Sequence, residues 1–387
     1  VRVVREDPVR KGLLYAGTEA GMYVSFNDGE DWQPMQSNLP VIPVTDIKVH
    51  KNDLILSTQG RAFWIMDDIS PLRNLGDQIP ENATLMTPST AYDVQYYGRA
   101  SSRQASNPEK GAVFYYSLPK GFDHKETDLS VEILDGNGNV IRTLKSDKKG
   151  KAKGSGSGTN YKLPAQAGLN KAVWDLKEDP RPGVKGAWSP AWGNQDKFSG
   201  PGALPGDYTI RLKANDTTVE QPLTLKFDPR HTISNADWAE KREMLDNIDI
   251  VFTELATTLA TFKGIRKQLK GQLEYIQDKN LKEQGDAILK LMQEWEDGVF
   301  SSKRTFFQDV LNWPDRLVSE FSGLLGSVDG AVPPLNKGVK QRYSDLKEKW
   351  EKAKSMRDTL ITGEISAFNK AFKEKENIID LSKLSDE

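Results

Sequence analysis

The chain has 387 residues, a formal net charge of −2 and no cysteine. Its length accommodates two or three domains, and a balance this close to neutral lacks the basic excess that phosphate binding requires, so no nucleic-acid partner is expected. The lack of cysteine excludes disulfides, thiolate metal sites and cysteine nucleophiles, while 37% hydrophobic and 28% charged residues exclude wholesale disorder.

Residues 1–76 read as a run of short strands. Leu13–Ala16, Met22–Ser25, Thr45–Val49, Leu54–Ser57 and Phe63–Met66 are β-prone, and Gly12, Gly17, Gly21, Asp28-Gly29, Asn52-Asp53 and Gly60 separate them as turns. Between two of these runs lies Ser25-Phe26-Asn27-Asp28-Gly29-Glu30-Asp31-Trp32. A hydroxyl residue, an amide two on, a glycine four on and a tryptophan seven on is the spacing of an Asp-box hairpin, which ties off blades of β-propellers. About six strands make one blade and part of another, and such a fragment leaves apolar faces and sheet edges open. The segment is therefore expected to pack on missing N-terminal blades, on a companion chain or on the rest of this one. The chain starts at Val1, for which processing, proteolysis or truncation would each account, and is expected to be the back end of something larger.

Residues 83–230 form a second β region. Val113–Ser117 reads as a buried strand, and Leu129–Leu134 turns at Asp135-Gly136-Asn137-Gly138-Asn139 and returns through Val140–Leu144 as a hairpin. Lys171–Leu176, Tyr208–Leu212 and Leu223–Phe227 complete a β-sandwich. A Lys/Gly/Ser tract at 148–158 reads as a mobile surface loop, and 179–206 as a Gly/Pro-rich loop carrying Trp188, Trp192 and Phe198. From 234 to 375 the period changes to helical. Ser234 and Asp237 fit a capping box, and Trp238, Leu245, Ile248, Phe252, Leu255, Leu259, Phe262, Leu269, Leu273 and Ile276 form one stripe, with Gly264 and Gly271 as places to bend. A second helix over 280–297, a third opened by Pro314 and a fourth carrying Tyr343 to Phe372 after Pro333-Pro334 make an antiparallel bundle, with 376–387 a fraying tail. No apolar run reaches the roughly 18 residues of a membrane-spanning helix.

With these residues in view, the chain resembles the C-terminal part of bacterial sortilin-like or neuraminidase-repeat propeller proteins, which are often labelled glycosyl hydrolases. The residues carrying the resemblance are Leu14-Tyr15-Ala16-Gly17-Thr18-Glu19, the degenerate Asp-box and Thr58-Gln59-Gly60-Arg61-Ala62-Phe63-Trp64-Ile65-Met66-Asp67-Asp68. The sandwich, through residues 135–139, 172–176 and Pro205-Gly206-Asp207-Tyr208-Thr209, resembles the immunoglobulin-like domain of flagellar hook-capping proteins. Asn27 and Asp31 stand where the box usually has Asp and Thr. The resemblance implies a multidomain β plus α chain of partial propeller blades, an immunoglobulin-like sandwich and a C-terminal helical bundle. It also implies an extracytoplasmic location and, for Ser25, Asn27, Gly29 and Trp32, a structural role in the hairpin.

No convergent catalytic set emerges. Asp28, Glu30 and Asp31 suit a solvated turn better than the paired acids of glycoside cleavage. Asp67-Asp68 beside Arg61 is a better acid cluster, read first as a structural salt bridge and second as a ligand site. Asp135–Asn139 starts like a calcium loop, but Val140 and Ser146 stand where a glycine and a glutamate are needed. His50, His124 and His231 fall in different regions, so no metal and no cofactor are expected. Trp188, Trp192 and Phe198 suit docking of the loop first and stacking on a sugar second. The sequons at Asn82 and Asn215 carry weight only in a eukaryotic source. Trp313 and Phe306-Phe307 offer a docking surface on the helical region. The expectation is a non-catalytic scaffold or binding module supporting a propeller that recognises protein or glycan. The alternative is a secreted glycoside hydrolase with its acids mainly in missing blades.

Overall fold

The computed structural model describes residues 1–75, 80–94, 107–123, 125–147, 161–182, 184, 188–189, 193–194, 197–198, 200–301, 303, 309, 312–314 and 316–375. The fold is mixed β and α, with several sheets followed by helices. By contacts the chain divides into one unit of residues 1–179 and 203–231 and a second of 180–202 and 232–387.

The first unit begins with β1 (Val3–Glu6), β2 (Leu14–Thr18), β3 (Gly21–Ser25) and β4 (Gln33–Pro34), a four-stranded antiparallel sheet in chain order. A second antiparallel sheet holds β5 (Val44–His50), β6 (Asp53–Thr58) and β7 (Phe63–Met66). Side chains alternate across a strand, so each sheet commits one face to the other. Val3, Tyr15, Met22 and Val24 meet Val44, Ile47, Leu54 and Leu56 in one apolar cluster. Gly17 permits the approach, because a Cβ there would lie 2.8 Å from a methyl of Val3 and from one of Val44. The short helix α1 (Ser70–Asn74) follows.

Next come β8 (Thr84–Leu85), β9 (Ala91–Asp93), β10 (Ala112–Leu118), β11 (Leu129–Leu134), β12 (Val140–Ser146), β13 (Lys162–Leu163) and β14 (Gly168–Trp174). The two-residue strands β15 (Arg181–Pro182), β16 (Trp188–Ser189), β17 (Gly193–Asn194) and β18 (Lys197–Phe198) pair as β15–β18 and β16–β17. The long strands β19 (Gly206–Ala214) and β20 (Thr217–Phe227) return to the first unit. One sheet has the order β14-β10-β8, the other β13-β12-β11-β19-β20-β9. They share a single core of Phe114, Tyr116, Val131, Trp174, Ile210 and Leu212 among others. Trp174 has no exposed surface; its indole N–H donates to the Lys177 carbonyl at 2.7 Å and its ring meets Tyr208 edge-on. The β11–β12 hairpin is closed by Asp135, whose Oδ1 accepts the backbone N–H groups of Asn137 and Asn139 at 2.9 and 2.8 Å. Its Oδ2 accepts the Asn139 amide at 3.1 Å, so local donors occupy the carboxylate. The tract at 148–158 lies outside the described residues.

In the second unit, α2 (Asn235–Leu273) starts at a capping box in which the Ser234 hydroxyl accepts from Asp237 N and the Asp237 carboxylate accepts from Ser234 N. It runs unbroken through Gly264 and Gly271, because neighbours on the buried stripe outweigh the weak helix propensity of glycine. The stripe ends at Leu273, with Ile276 beyond the helix but still buried. Asp278 caps α3 (Lys279–Val299) through Leu281 N, and α4 (Leu317–Asp329) starts three residues after Pro314, following extended backbone at Arg316. Asn336 caps α5 (Lys337–Leu360) through Val339 N. The expected fourth helix then widens into a π-helical turn, Ile361–Ile365, before α6 (Ser366–Lys375). All these helices contribute to one apolar cluster that includes Phe252, Trp295, Phe321, Trp350, Leu360 and Phe368. Polar groups inside it are paired: the Lys241 ammonium donates to the carbonyls of Asp329 and Ala331 at 2.8 and 2.9 Å, and buried Glu296 lies 2.9 Å from Arg266. The expected tail, 376–387, lies outside the described residues.

Candidate functional site

Asp67 and Asp68 lie together at the end of β7, away from Arg61. Arg61 is exposed at the β6–β7 turn, whereas Asp67 and Asp68 leave the far end of β7, so the whole strand separates them. No ion pair joins Arg61 to either aspartate among the described residues. What the fold brings to Asp67 and Asp68 is the β5–β6 turn on one side and the β10–β14 pair on the other. Asp68, at φ 59°, donates its backbone N–H to Asp53 Oδ1 at 3.3 Å, and its own Oδ1 accepts Ser70 N at 3.1 Å ahead of the first turn of α1. Asn52 donates to Ser89 Oγ at 2.8 Å, tying the same turn to the segment between β8 and β9. Tyr115 on β10 and Lys171 on β14 are directly opposite in register, and Lys171 pairs with Glu109 at 3.1 Å.

The electrostatics follow from that crowding. Partial desolvation holds the Asp67 carboxyl above the ordinary aspartate value; the charges of Asp53 and Asp68 push the same way and Lys171 opposes them. Tyr115 is 9% exposed, and burial, followed by the charges of Asp68, Glu109 and Asp67, raises its phenol further still. Neither Asp53 nor Tyr115 carries a sequence signal for this site. They are 14 and 48 positions from Asp67 (67 − 53 and 115 − 67), and only the tertiary fold unites them. Among the described residues no group of three or more histidine and acidic side chains is placed to hold a metal ion.

The Ser25–Trp32 hairpin is held by a local hydrogen-bond set and tied to the β1–β2 loop by Asp28 N donating to the Gly12 carbonyl at 2.9 Å. Ser25 has no exposed surface; its Oγ accepts Gly29 N at 2.9 Å and donates to Asn27 Oδ1 at 3.0 Å. Asn27 Oδ1 also accepts Asp31 N, Asn27 Nδ2 donates to the Asp31 carboxylate, and Trp32 Nε1 donates to the Gly29 carbonyl at 3.1 Å. Asp28 at φ 60° and Gly29 at φ 89° make the left-handed turn. Asp31 is thus engaged locally.

A buried ion pair with no local mark in the sequence joins Asp7 to Arg73. Asp7, its side chain without exposed surface, accepts Arg73 Nε at 3.0 Å, Tyr15 Oη at 3.1 Å and the backbone N–H groups of Val9 and Arg10. Arg73 also donates to Asn52 Oδ1 and to the Lys51 carbonyl, which fastens the β1–β2 loop, the β5–β6 turn and α1 together.

The outward faces of the first two sheets are mixed, each with an apolar stretch beside exposed polar residues such as Glu6 on β1 and Asp46, Lys48 and His50 on β5. On β1–β4, Val4, Ala16, Tyr23 and Pro34 follow one another across the register, and the first three, with Trp32, Thr18 and Glu19, line a depression of about 540 Å³. On β5–β7, Ile55 and Ile65 are opposite each other with Phe63 beside them; Phe63 is 74% and Ile65 58% exposed. Trp188 and Phe198 lie on the short ladders β16–β17 and β15–β18, and Trp192 falls outside the described residues, as do His124 and Phe306-Phe307. Trp313 is 39% exposed, with the Lys303 ammonium 4.6 Å from its ring centre.

No helix among the described residues is long and apolar enough to cross a membrane. No protein-family model and no curated protein matches the chain. Among solved structures it is similar to dimeric latent PorU from Porphyromonas gingivalis, at 12% identity and a TM-score of 0.19, over 46% of this chain and 13% of that one. A likeness to the structure titled pT26-6p has 8% identity and a TM-score of 0.11 over 89% of this chain and 69% of that one. The chain therefore spans about an eighth of PorU, and neither likeness bears on its fold or activity.

Proposed function

We propose that the chain is a non-catalytic, extracytoplasmic scaffold and binding module whose first two sheets are blades of a β-propeller. In this reading the β8–β14 and β19–β20 region is an immunoglobulin-like sandwich and the helices form an antiparallel bundle, both buttressing a propeller that recognises protein or glycan. The observation that carries the reading is the asymmetry of the two stacked sheets. Their shared faces hold one buried apolar cluster, while Val4 and Trp32 on one sheet and Phe63 and Ile65 on the other are large apolar side chains left exposed among polar neighbours. Exposed apolar side chains of this kind on consecutive antiparallel sheets suit further sheets of the same kind, from polypeptide outside these residues or from a companion chain. Covalent surface labelling of Tyr23, Trp32 and Phe63 tests it. Protection is expected in protein from its native source and reactivity in the isolated 387-residue chain; equal labelling of both overturns the proposal.

A second reading, a secreted glycoside hydrolase whose catalytic acids lie mainly outside this chain, is favoured by Asp67 alone. Its carboxyl is held in the protonated direction beside two further aspartates, as a general acid requires. Release of reducing sugar from a glycan panel by the native material, lost in Asp67→Asn, is the result that would establish it.

A further inference from the structure

The first two sheets are built as repeats of one another. In register, β2–β3 sets Tyr15 opposite Val24, Ala16 opposite Tyr23 and Gly17 opposite Met22. In the same way β6–β7 sets Ile55 opposite Ile65, Leu56 opposite Trp64 and Ser57 opposite Phe63. One device closes both turns: the Thr18 hydroxyl donates to the Gly21 carbonyl at 3.0 Å, and the Thr58 hydroxyl to the Ala62 carbonyl at 2.7 Å. Counted back from these threonines, Tyr15 corresponds to Ile55 and Ala16 to Leu56. Across the ladders, Met22 then corresponds to Phe63, Tyr23 to Trp64, Val24 to Ile65 and Val4 to Ile47.

The sheets do not meet through corresponding faces. The first turns Tyr15, Met22 and Val24 into the shared core, whereas the second turns Ile47, Leu56 and Trp64 into it. The side chains matching Tyr15, Met22 and Val24 are Ile55, Phe63 and Ile65, and they lie on the outward face of the second sheet, where Phe63 and Ile65 are exposed. Those matching Ile47, Leu56 and Trp64 are Val4, Ala16 and Tyr23, and they line the depression on the outward face of the first. The two outward faces are therefore the two halves of the contact already made inside the chain.

That internal contact selects the occupant. Each bare face fits a surface that the fold itself presents, and both are available on a second copy. Polar side chains such as Asp46 and Lys48 flank the apolar stretch, as a rim flanks the core of a reversible interface. Such an interface is heterologous, because each face complements the other and not itself, and it leaves one face open at each end.

We infer that the chain self-associates head to tail, with the Phe63 and Ile65 face of one copy seated on the Val4, Tyr23 and Trp32 depression of the next. This goes beyond the propeller reading and fails separately from it. Native-source protein protected from labelling, together with an isolated chain that stays monomeric, keeps that reading and removes this one. The labelling comparison is made at dilution, where copies of the isolated chain are apart.

Sedimentation velocity of the 387-residue chain over a range of concentrations is the test. Reversible association that runs past the dimer is expected. Phe63→Asp and Tyr23→Asp should each weaken it about a hundredfold or more, because each buries an unpaired carboxylate in the contact. An equimolar mixture of the two variants should form a one-to-one dimer and stop there, since each contributes one intact face. Circular dichroism establishes that each variant keeps its fold, and Ile65→Asp with Val4→Asp, at two exposed positions, forms a second pair for the same mixture. A wild type that is monomeric throughout, a folded single variant that still associates with itself as strongly as the wild type, or a mixture of folded variants that stays monomeric would each overturn the inference.

Discussion

Asp7 and Asp67 are both aspartates at the edge of the first two sheets, and their surroundings drive them in opposite directions. Burial alone would raise Asp7, but the N–H groups of Arg10 and Val9 and the Arg73 guanidinium outweigh it, so its carboxyl is held below the ordinary value of 3.8. Its ionised form therefore adds stability above that value, and the contribution is lost as pH falls through the lower folded-state value. Asp7→Asn keeps the shape and strands an Arg73 that is only 10% exposed. Urea denaturation at neutral pH is expected to show a loss of about 3 kcal/mol, the scale for breaking a buried pair. For Asp67 the sign reverses. The folded carboxyl binds its proton more tightly than the unfolded one, so stability falls as pH rises from the ordinary value through the raised one, and the penalty persists above it. Asp67→Asn removes the repulsion from Asp53 and Asp68; its midpoint at pH 7 is expected to rise slightly and its pH dependence just above the ordinary aspartate value to flatten.

At the level of elements, what was legible in the sequence was local. The Ser25–Trp32 turn and the Asp135 hairpin could be read because the residues that hold each other are two to four positions apart. The capping box at Ser234 was visible for the same reason. The strands β8, β9 and β13 were not legible, since two or three residues carry no periodicity, and Asp7 with Arg73 was hidden by a separation of 66 positions. Two substitutions test the local devices. Ser25→Ala removes a buried acceptor from Gly29 N and should cost about 1–2 kcal/mol. Gly17→Ala inserts a methyl 2.8 Å from Val3 and Val44 and should cost about 1–3 kcal/mol by overpacking. Both are read as shifts in the denaturation midpoint.

For the whole molecule, the division into two units, one holding the β cores and the other the helical core, predicts that unfolding has more than one step. Trp350 has no exposed surface and lies within the helical core. Trp350→Ala should lower the transition seen by helical circular dichroism by about 3–5 kcal/mol and leave the β-sheet transition near its original midpoint. A single transition moved as a whole by that substitution would show that the two units unfold together. By contacts, residues 180–202 group with the helices and 203–231 with the sheets, a division that no local periodicity marks.

The widened turn at Ile361–Ile365 has a consequence for how many residues this part of the chain can contain. An α-helix rotates about 100° per residue, so eight regular steps from Leu360 would leave Phe368 roughly 80° off its azimuth. An i→i+5 turn rotates less at each step, and five such steps bring Phe368 back to about the same bearing. Leu360 and Phe368 are both buried in the helical core. The widened turn thus absorbs one surplus residue: deleting one of the five would leave seven regular steps, about 700°, which keeps Phe368 within about 20° of the bearing of Leu360, so the shortened chain is expected to run on as an unbroken α-helix with Phe368 still turned inward.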